Sequence, residues 1–96
     1  MTTYIYTDRY GVVRTTNRIT KEVKRAKEVI AVSNKMQRIR LILRRKGQEH
    51  IFDYERASEF TGWDFKTWFS DTIARITALV SEVKLVDKLV EMYRSE

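Results

Sequence analysis

The side chains able to do chemistry in this chain are few, and their spacing argues against catalysis. His50 is the one imidazole among 96 residues, and cysteine is absent. That excludes thiol nucleophiles, disulfides and every Cys-based metal site. His50 falls on the apolar side of an alternating stretch, the place of a structural histidine rather than of a general base. Asp53 and Glu55 alternate on one predicted strand and could in principle share a cation. Each is expected to face an arginine, however, and two carboxylates without a third oxygen ligand make a poor hard-metal site. Asp64 and Asp71 stand seven apart on a predicted helix, which suits solvent or a cap. Three glycines form no phosphate loop, and neither a Ser-His-Asp grouping nor an HExxH pattern occurs. The expectation is a protein that is not an enzyme and holds no metal and no cofactor.

Positive charge, by contrast, is plentiful and lopsided. The net charge is +6 and the isoelectric point about 9.8. Residues 1–50 carry thirteen bases against four acids, a net of +9, whereas residues 51–96 carry six against nine, a net of −3. Such asymmetry points to a polyanionic partner and speaks to association rather than to fold. Within the basic half, Lys21, Lys24, Arg25 and Lys27 cluster on one predicted helix, and Arg18, Arg45 and Lys46 widen the patch. These seven are the candidate phosphate-binding residues. Tyr4, Tyr6 and Tyr10 are the candidate exposed aromatics, able to stack on bases or to anchor a protein partner. Phe65, Trp68 and Phe69 lie on a helix stripe and read as core; Trp63 points elsewhere.

The elements that must position these residues follow from periodicity. Residues 2–16 read as a hairpin, β-branched and aromatic on both arms, with Asp8-Arg9-Tyr10-Gly11 as its turn. Two registers remain open. Pairing Thr7 with Val12 gathers Tyr4, Tyr6 and Val13 on one face; pairing Asp8 with Val12 puts Ile5 with Val13 instead. Residues 20–33 read as a helix capped by Thr20, with Ile19, Val23, Ala26, Val29 and Ile30 as its apolar stripe, ending at Ser33-Asn34. Residues 37–54 read as a second hairpin turning at Lys46-Gly47. With Arg44 opposite Glu49, one face collects Ile39, Leu41, Leu43, His50, Phe52 and Tyr54. The other face then sets Arg44 against Glu49, Arg40 against Asp53 and Arg38 against Glu55. A one-residue slip would destroy both patterns, so this register is selected. The three arginines are thereby spent on cross-strand partners and discounted as binding residues.

Residues 55–62 form a connector or short helical turn broken at Thr61-Gly62. From Trp63 one long helix is expected to about Arg94, roughly 45 Å if continuous. Its stripe runs through Phe65, Trp68, Phe69, Ile73, Ile76, Val80, Val83, Val86, Val90 and Tyr93, and near the end Leu85, Leu89 and Met92 add a second apolar flank. The order is ββαββα: a single α+β domain over residues 1–96, two antiparallel hairpins making a small sheet packed on a short helix and the long C-terminal helix.

A small sheet covers only a few turns of helix. The extra flank of Leu85, Leu89 and Met92, with Tyr93, needs cover: the same helix of a second copy, a homodimer, is favoured, and the alternative is the 20–33 helix lying across it within one monomer. The mixed charge of the helix's polar face does not suit a membrane surface. No leader and no spanning run is visible, and a cytoplasmic protein is expected. The leading reading is a small nucleic-acid-binding protein, for DNA or RNA, that engages phosphates without base readout. The rival is a protein-binding adaptor or inhibitor, of the kind small phage and bacterial accessory proteins are, whose basic face meets an acidic protein surface. A third reading is a structural subunit of a larger assembly, joined through open hairpin edges.

Overall fold

The computed structural model of the chain describes residues 1–35 and 38–94. Two tight turns set its strand registers. In the first, the Asp8 carboxylate accepts hydrogen bonds from the backbone N–H of Tyr10 (2.8 Å) and Val12 (3.0 Å). Gly11 closes the loop at φ +79°, a conformation that costs a residue without Cβ nothing. The resulting pairing joins β1 (Thr2–Thr7) to β2 (Val13–Thr16) with Thr7 opposite Val13 and Tyr6 opposite Arg14. This is the register that places Ile5 and Val13 on one face. In the second turn, Lys46 and Gly47 both take positive φ (50° and 73°), the two-residue geometry whose twist matches antiparallel strands. It joins β4 (Arg38–Arg45) to β5 (Gln48–Asp53) with Arg44 opposite Glu49, as the charge pattern predicts. Gln37, the first residue of the expected hairpin, lies outside the described residues.

The main departure from the sequence-based expectation lies between the hairpins. The expected helix over 20–33 is only one turn long, α1 (Lys21–Arg25), with the Thr20 hydroxyl accepting from Val23 N–H. Residues Glu28–Lys35 form a strand, β3, which pairs with β1 on one side and β4 on the other. The sheet therefore has five antiparallel strands in the order β2-β1-β3-β4-β5. The physical reason is the run Val29-Ile30-Ala31-Val32. Three of its four residues are β-branched, and a central strand covered on both faces is apolar throughout. The helical spacing of Val23, Ala26 and Ile30 is a coincidence across two elements.

The inner face of the sheet holds the main core. Ile5, Ile30, Leu41 and Leu43 are fully buried there, under α2 (Tyr54–Thr61), α3 (Phe65–Leu79) and α4 (Val83–Arg94). The anticipated single helix over 63–94 is thus two helices. Val80 is extended (ψ 150°), and the chain turns through Ser81-Glu82 before α4. After the break the buried side of α4 is Leu85, Val86 and Leu89, while Val83, expected on the stripe, is half exposed. Leu85 and Leu89 are fully buried inside one chain, and Met92 and Tyr93 pack against the same core. Leu85 and Leu89 therefore have no surface to offer a second copy; the second apolar flank is largely the buried face of a separate helix. Phe65 and Phe69 stack at 5.5 Å, and Phe69 and Tyr93 meet at 4.7 Å, tying α3 to α4. Among the described residues no helix is long and apolar enough to cross a membrane.

Glu28 explains how the break is held. Its side chain lies at the inner edge of β3, 5% exposed, and accepts from Ser81 N–H (2.8 Å), Ser81 Oγ (3.0 Å) and Glu82 N–H (3.1 Å), with Arg45 Nε at 3.4 Å. Burial by itself raises the carboxyl's pKa. The Ser81 and Glu82 donors and Arg45 outweigh it and hold Glu28 below the usual carboxylate range. Lys84 Nζ adds a bond to the Gly11 carbonyl, fastening α4 to the first turn.

Candidate nucleic-acid interface

Strand alternation puts every second side chain on the outer face, opposite the helices. Three cross-strand rows result. The middle row is Tyr4, Ala31, Ile42 and Ile51; one neighbouring row is Tyr6, Val29, Arg44 and Glu49; the other contains Ser33, Arg40 and Asp53. Among the described residues only α1 covers this face. Val23 is its buried residue and packs on Tyr6 and Val29, with Tyr4 and Ala26 at the edge. A five-residue helix cannot hold itself in water. Besides the Thr20 cap, Arg44 from β4 donates to the Val23 carbonyl (2.6 Å) and the Ala26 carbonyl (3.3 Å), placing a cation on the negative end of the helix.

Beside α1 the outer face opens into a groove of about 320 Å3. Ile19 and Val23 make its wall and Tyr4, Ala31 and Ile42 its floor. Ser33, Arg40, Arg44 and the acid Glu49 also line it. Ile19 and Ile51 are more than half exposed, so an apolar strip crosses the outer face in the middle of charged rows.

The seven candidate phosphate-binding residues divide into three groups. Lys21, Lys24 and Arg25 are exposed on α1, with Arg18 before it and Lys27 after it. Lys46 stands at the tip of the β4–β5 turn; because Glu28 pairs with Arg45 across β3 and β4, Lys27 and Lys46 leave that ladder at the same end. Among the described residues none of these six forms an ion pair. Arg45 differs: its guanidinium is three-quarters buried and engaged with Glu28, so it is not one of the free cations. Of the three discounted arginines, Arg38 pairs with Glu55 at 2.8 Å and Arg40 with Asp53 at 3.1 Å, as expected. Arg44 instead donates to the Val23 and Ala26 carbonyls of α1, and among the described residues no ion pair joins it to Glu49 opposite.

The tyrosines also separate. Tyr10 is 74% exposed, with the Arg9 guanidinium 5.0 Å over its ring. Tyr4 is half-buried and lines the groove. Tyr6 is buried under α1, so it is not an exposed anchor. His50 lies on the inner face opposite Leu43, as the chosen register predicts. Asp53 is held below the usual carboxylate range first by the Arg56 backbone N–H, against burial, with Arg40 assisting. It caps α2 and pairs a strand at once. Among the described residues no group of three or more acidic or histidine side chains is placed to hold a metal ion.

Sequence reasoning missed two residues of this site. Ile19 and Ile42 define the groove, yet Ile19 reads as part of a longer helix and Ile42 as one more alternating apolar residue. The signal that could have found them is that Ile42 and Ile51 fall on the charged side of the second hairpin, where isoleucine needs a reason. Protein-family models, curated proteins and solved structures give no match to the chain.

Proposed function

We propose that this protein binds nucleic acid through the outer side of its sheet, engaging phosphates and catalysing no reaction. One observation carries the reading. The charge is divided between layers: the basic residues 1–50 build β1 to β4, α1 and the first half of β5, and the helical layer of α2, α3 and α4 is drawn from the acidic half. On the α1 side Arg18, Lys21, Lys24, Arg25 and Lys27 are exposed without ion-pair partners among the described residues. Phosphate binding by such cations releases condensed counterions, so affinity should fall linearly with salt on a log–log plot. A fluorescence-anisotropy titration against DNA and RNA over a salt series tests this. Replacing Lys21, Lys24, Arg25 and Lys27 together by glutamine should weaken binding strongly and flatten the salt slope by about 0.7–0.9 for each phosphate no longer neutralised. Undiminished binding by that variant would remove α1 as the site.

A second reading has its own observation. Phe60 is 85% exposed and Trp63 37% exposed at the corner between α2 and α3, and Tyr10 projects from the first turn. Large exposed aromatics suit an adaptor that anchors in a protein partner. Co-purification separates the two readings: an elevated 260/280 nm ratio that a high-salt wash removes favours nucleic acid, and one stoichiometric protein favours the adaptor.

A further inference from the structure

We infer that the ligand of the outer face is a single strand of nucleic acid, whose bases lie on the apolar row while its backbone runs along the cationic rim. The inference rests on the phosphate-binding reading above and adds to it what the groove selects. A duplex presents phosphates and the edges of stacked pairs; it has no base face to offer a surface. A duplex on α1 would leave Tyr4, Ile42 and Ile51 uncovered. A single strand has unstacked bases, and every base has a face that an aromatic ring can stack on.

The groove meets that requirement in three ways. Its floor contains one aromatic ring, Tyr4, set in a row with Ala31, Ile42 and Ile51 across four strands. At about 4.8 Å between strands the row is roughly 14 Å long, the span of a few nucleotides. Its two flanking rows carry Arg44 beside Glu49 and Arg40 beside Asp53, with the Arg40 side chain 52% exposed, and Ser33 adds a hydroxyl that can reach a base edge or sugar. Its wall contains Ile19 and Val23, and their chain neighbours Arg18, Lys21 and Lys24 are exposed. The apolar floor and the exposed cations therefore lie on adjoining stretches of chain, which charge alone does not require. An acidic peptide would share the cations but needs no aromatic ring on the floor.

The test measures anisotropy with labelled strands of about 12 nucleotides, DNA and RNA, against the matching duplex. The full chain is used, and circular dichroism verifies the fold of each variant. Single strands should bind at least about tenfold more tightly than duplex. Tyr4→Leu, which keeps apolar bulk without the ring, should lower single-strand affinity by about tenfold and leave duplex affinity unchanged. Tyr4→Phe should restore it. Ile51→Ser, an exposed position outside the core, should weaken single-strand binding in the same selective manner. Equal affinity for duplex and single strand, both lost in the Lys21/Lys24/Arg25/Lys27 variant, would overturn the groove assignment and leave the phosphate-binding reading standing. Absence of binding to either form would overturn both. A poly-glutamate peptide that binds with the same dependence on Tyr4 would replace the strand by an acidic protein segment and overturn the inference.

Discussion

The two faces of the sheet are written by the same alternating strands, yet they differ in almost every physical property. The inner face carries Ile5, Ile30, Leu41 and Leu43, completely buried under three helices. The outer face carries arginines beside isoleucines and is covered by five residues of helix. The inner face is therefore where the fold draws its stability, and the outer face is where it can spare surface for a partner. The comparison also shows why a net charge is a poor guide to a site. Part of the outer charge is matched by acids, as in the pairs of Arg38 with Glu55 and Arg40 with Asp53. The excess that remains belongs to α1 and its flanks.

The largest test of the contrast compares neighbours on β4 that point opposite ways. Leu41→Ala leaves a cavity under α2 and α3 and should cost about 2–5 kcal/mol in a urea melt. Ile42→Ala, one residue along, should cost on the order of 1 kcal/mol, because its side chain is only half removed from water. Equal losses would mean that the outer face is as firmly packed as the inner one.

Next in size is Glu28, the buried carboxylate that ties the sheet to the helical break. Glu28→Ala should destabilise by about 3 kcal/mol, since it strands the Arg45 cation and the Ser81 and Glu82 N–H groups. The sign of its pH dependence follows from its depressed pKa. The unfolded chain binds a proton on this group near pH 4.5, the folded chain only at lower pH. The contribution is thus complete above that value and is lost as pH falls below it toward the folded pKa. Acid melts of wild type and Glu28→Gln should be separated at about pH 6 and draw together progressively as pH falls below 4.5.

How much of this is legible in the sequence depends on how many partners an element needs. The second hairpin is readable residue by residue, because its register is decided by two strands and one turn: a slip would mix Phe52 with the arginines. The first hairpin stays open between two registers, since Tyr4 and Ile5 are about equally suited to a core. The Asp8 turn holds one of them, and α4 lying on Ile5 and Val13 buries the face that this register creates, a contact no local pattern contains. β3 reads as helix because a central strand's apolar run is created by neighbours on both sides. The C-terminal break carries a signal with two meanings. Two apolar flanks on one helix indicate either a second copy or two helices buried on different sides; the break held by the Glu28 carboxylate, 53 residues away from Ser81, accounts for Leu85 and Leu89 within one chain. Of the candidate site, the α1 cations are visible as a cluster. The groove is not, for it is made by Ile19, Tyr4 and Ile42 from three separate parts of the chain.

The outer face invites a third measurement, on the cation that holds α1. Arg44→Met should cost about 1.5–3 kcal/mol, the range for hydrogen bonds to a charged group, and it should act locally. Hydrogen exchange of the α1 and Ala26 amides should speed up while β4 and β5 amides stay protected. Because α1 is also the groove wall, the same variant should lose nucleic-acid affinity by more than its single missing charge explains. If exchange quickens evenly throughout the sheet, Arg44 is a core residue rather than the fastener of one short helix.

The smallest expected effect separates two roles of one carboxylate. Asp53 receives the Arg40 guanidinium (3.1 Å) and the Arg56 backbone N–H (3.0 Å), so it is both strand partner and cap of α2. Its carboxylate is the less exposed partner, at 19% against 52% for Arg40. The cap concerns an orphan helix donor, and its removal costs about 1 kcal/mol in most settings. The ion pair is half in solvent, where attraction is screened and two side chains must be ordered, and such pairs contribute about 0.2–1 kcal/mol. Asp53→Ala should therefore lose more than Arg40→Ala, and Asp53→Asn, which retains a cap acceptor, should lose little. A double-mutant cycle between positions 40 and 53 should return a coupling under about 1 kcal/mol that shrinks with salt. A coupling several times larger and indifferent to salt would make the outer face a rigid charged lattice, with Arg40 unable to turn toward a phosphate. A small coupling leaves Arg40 able to exchange a carboxylate for a phosphate at little cost, and that freedom is what a binding face requires and a core does not.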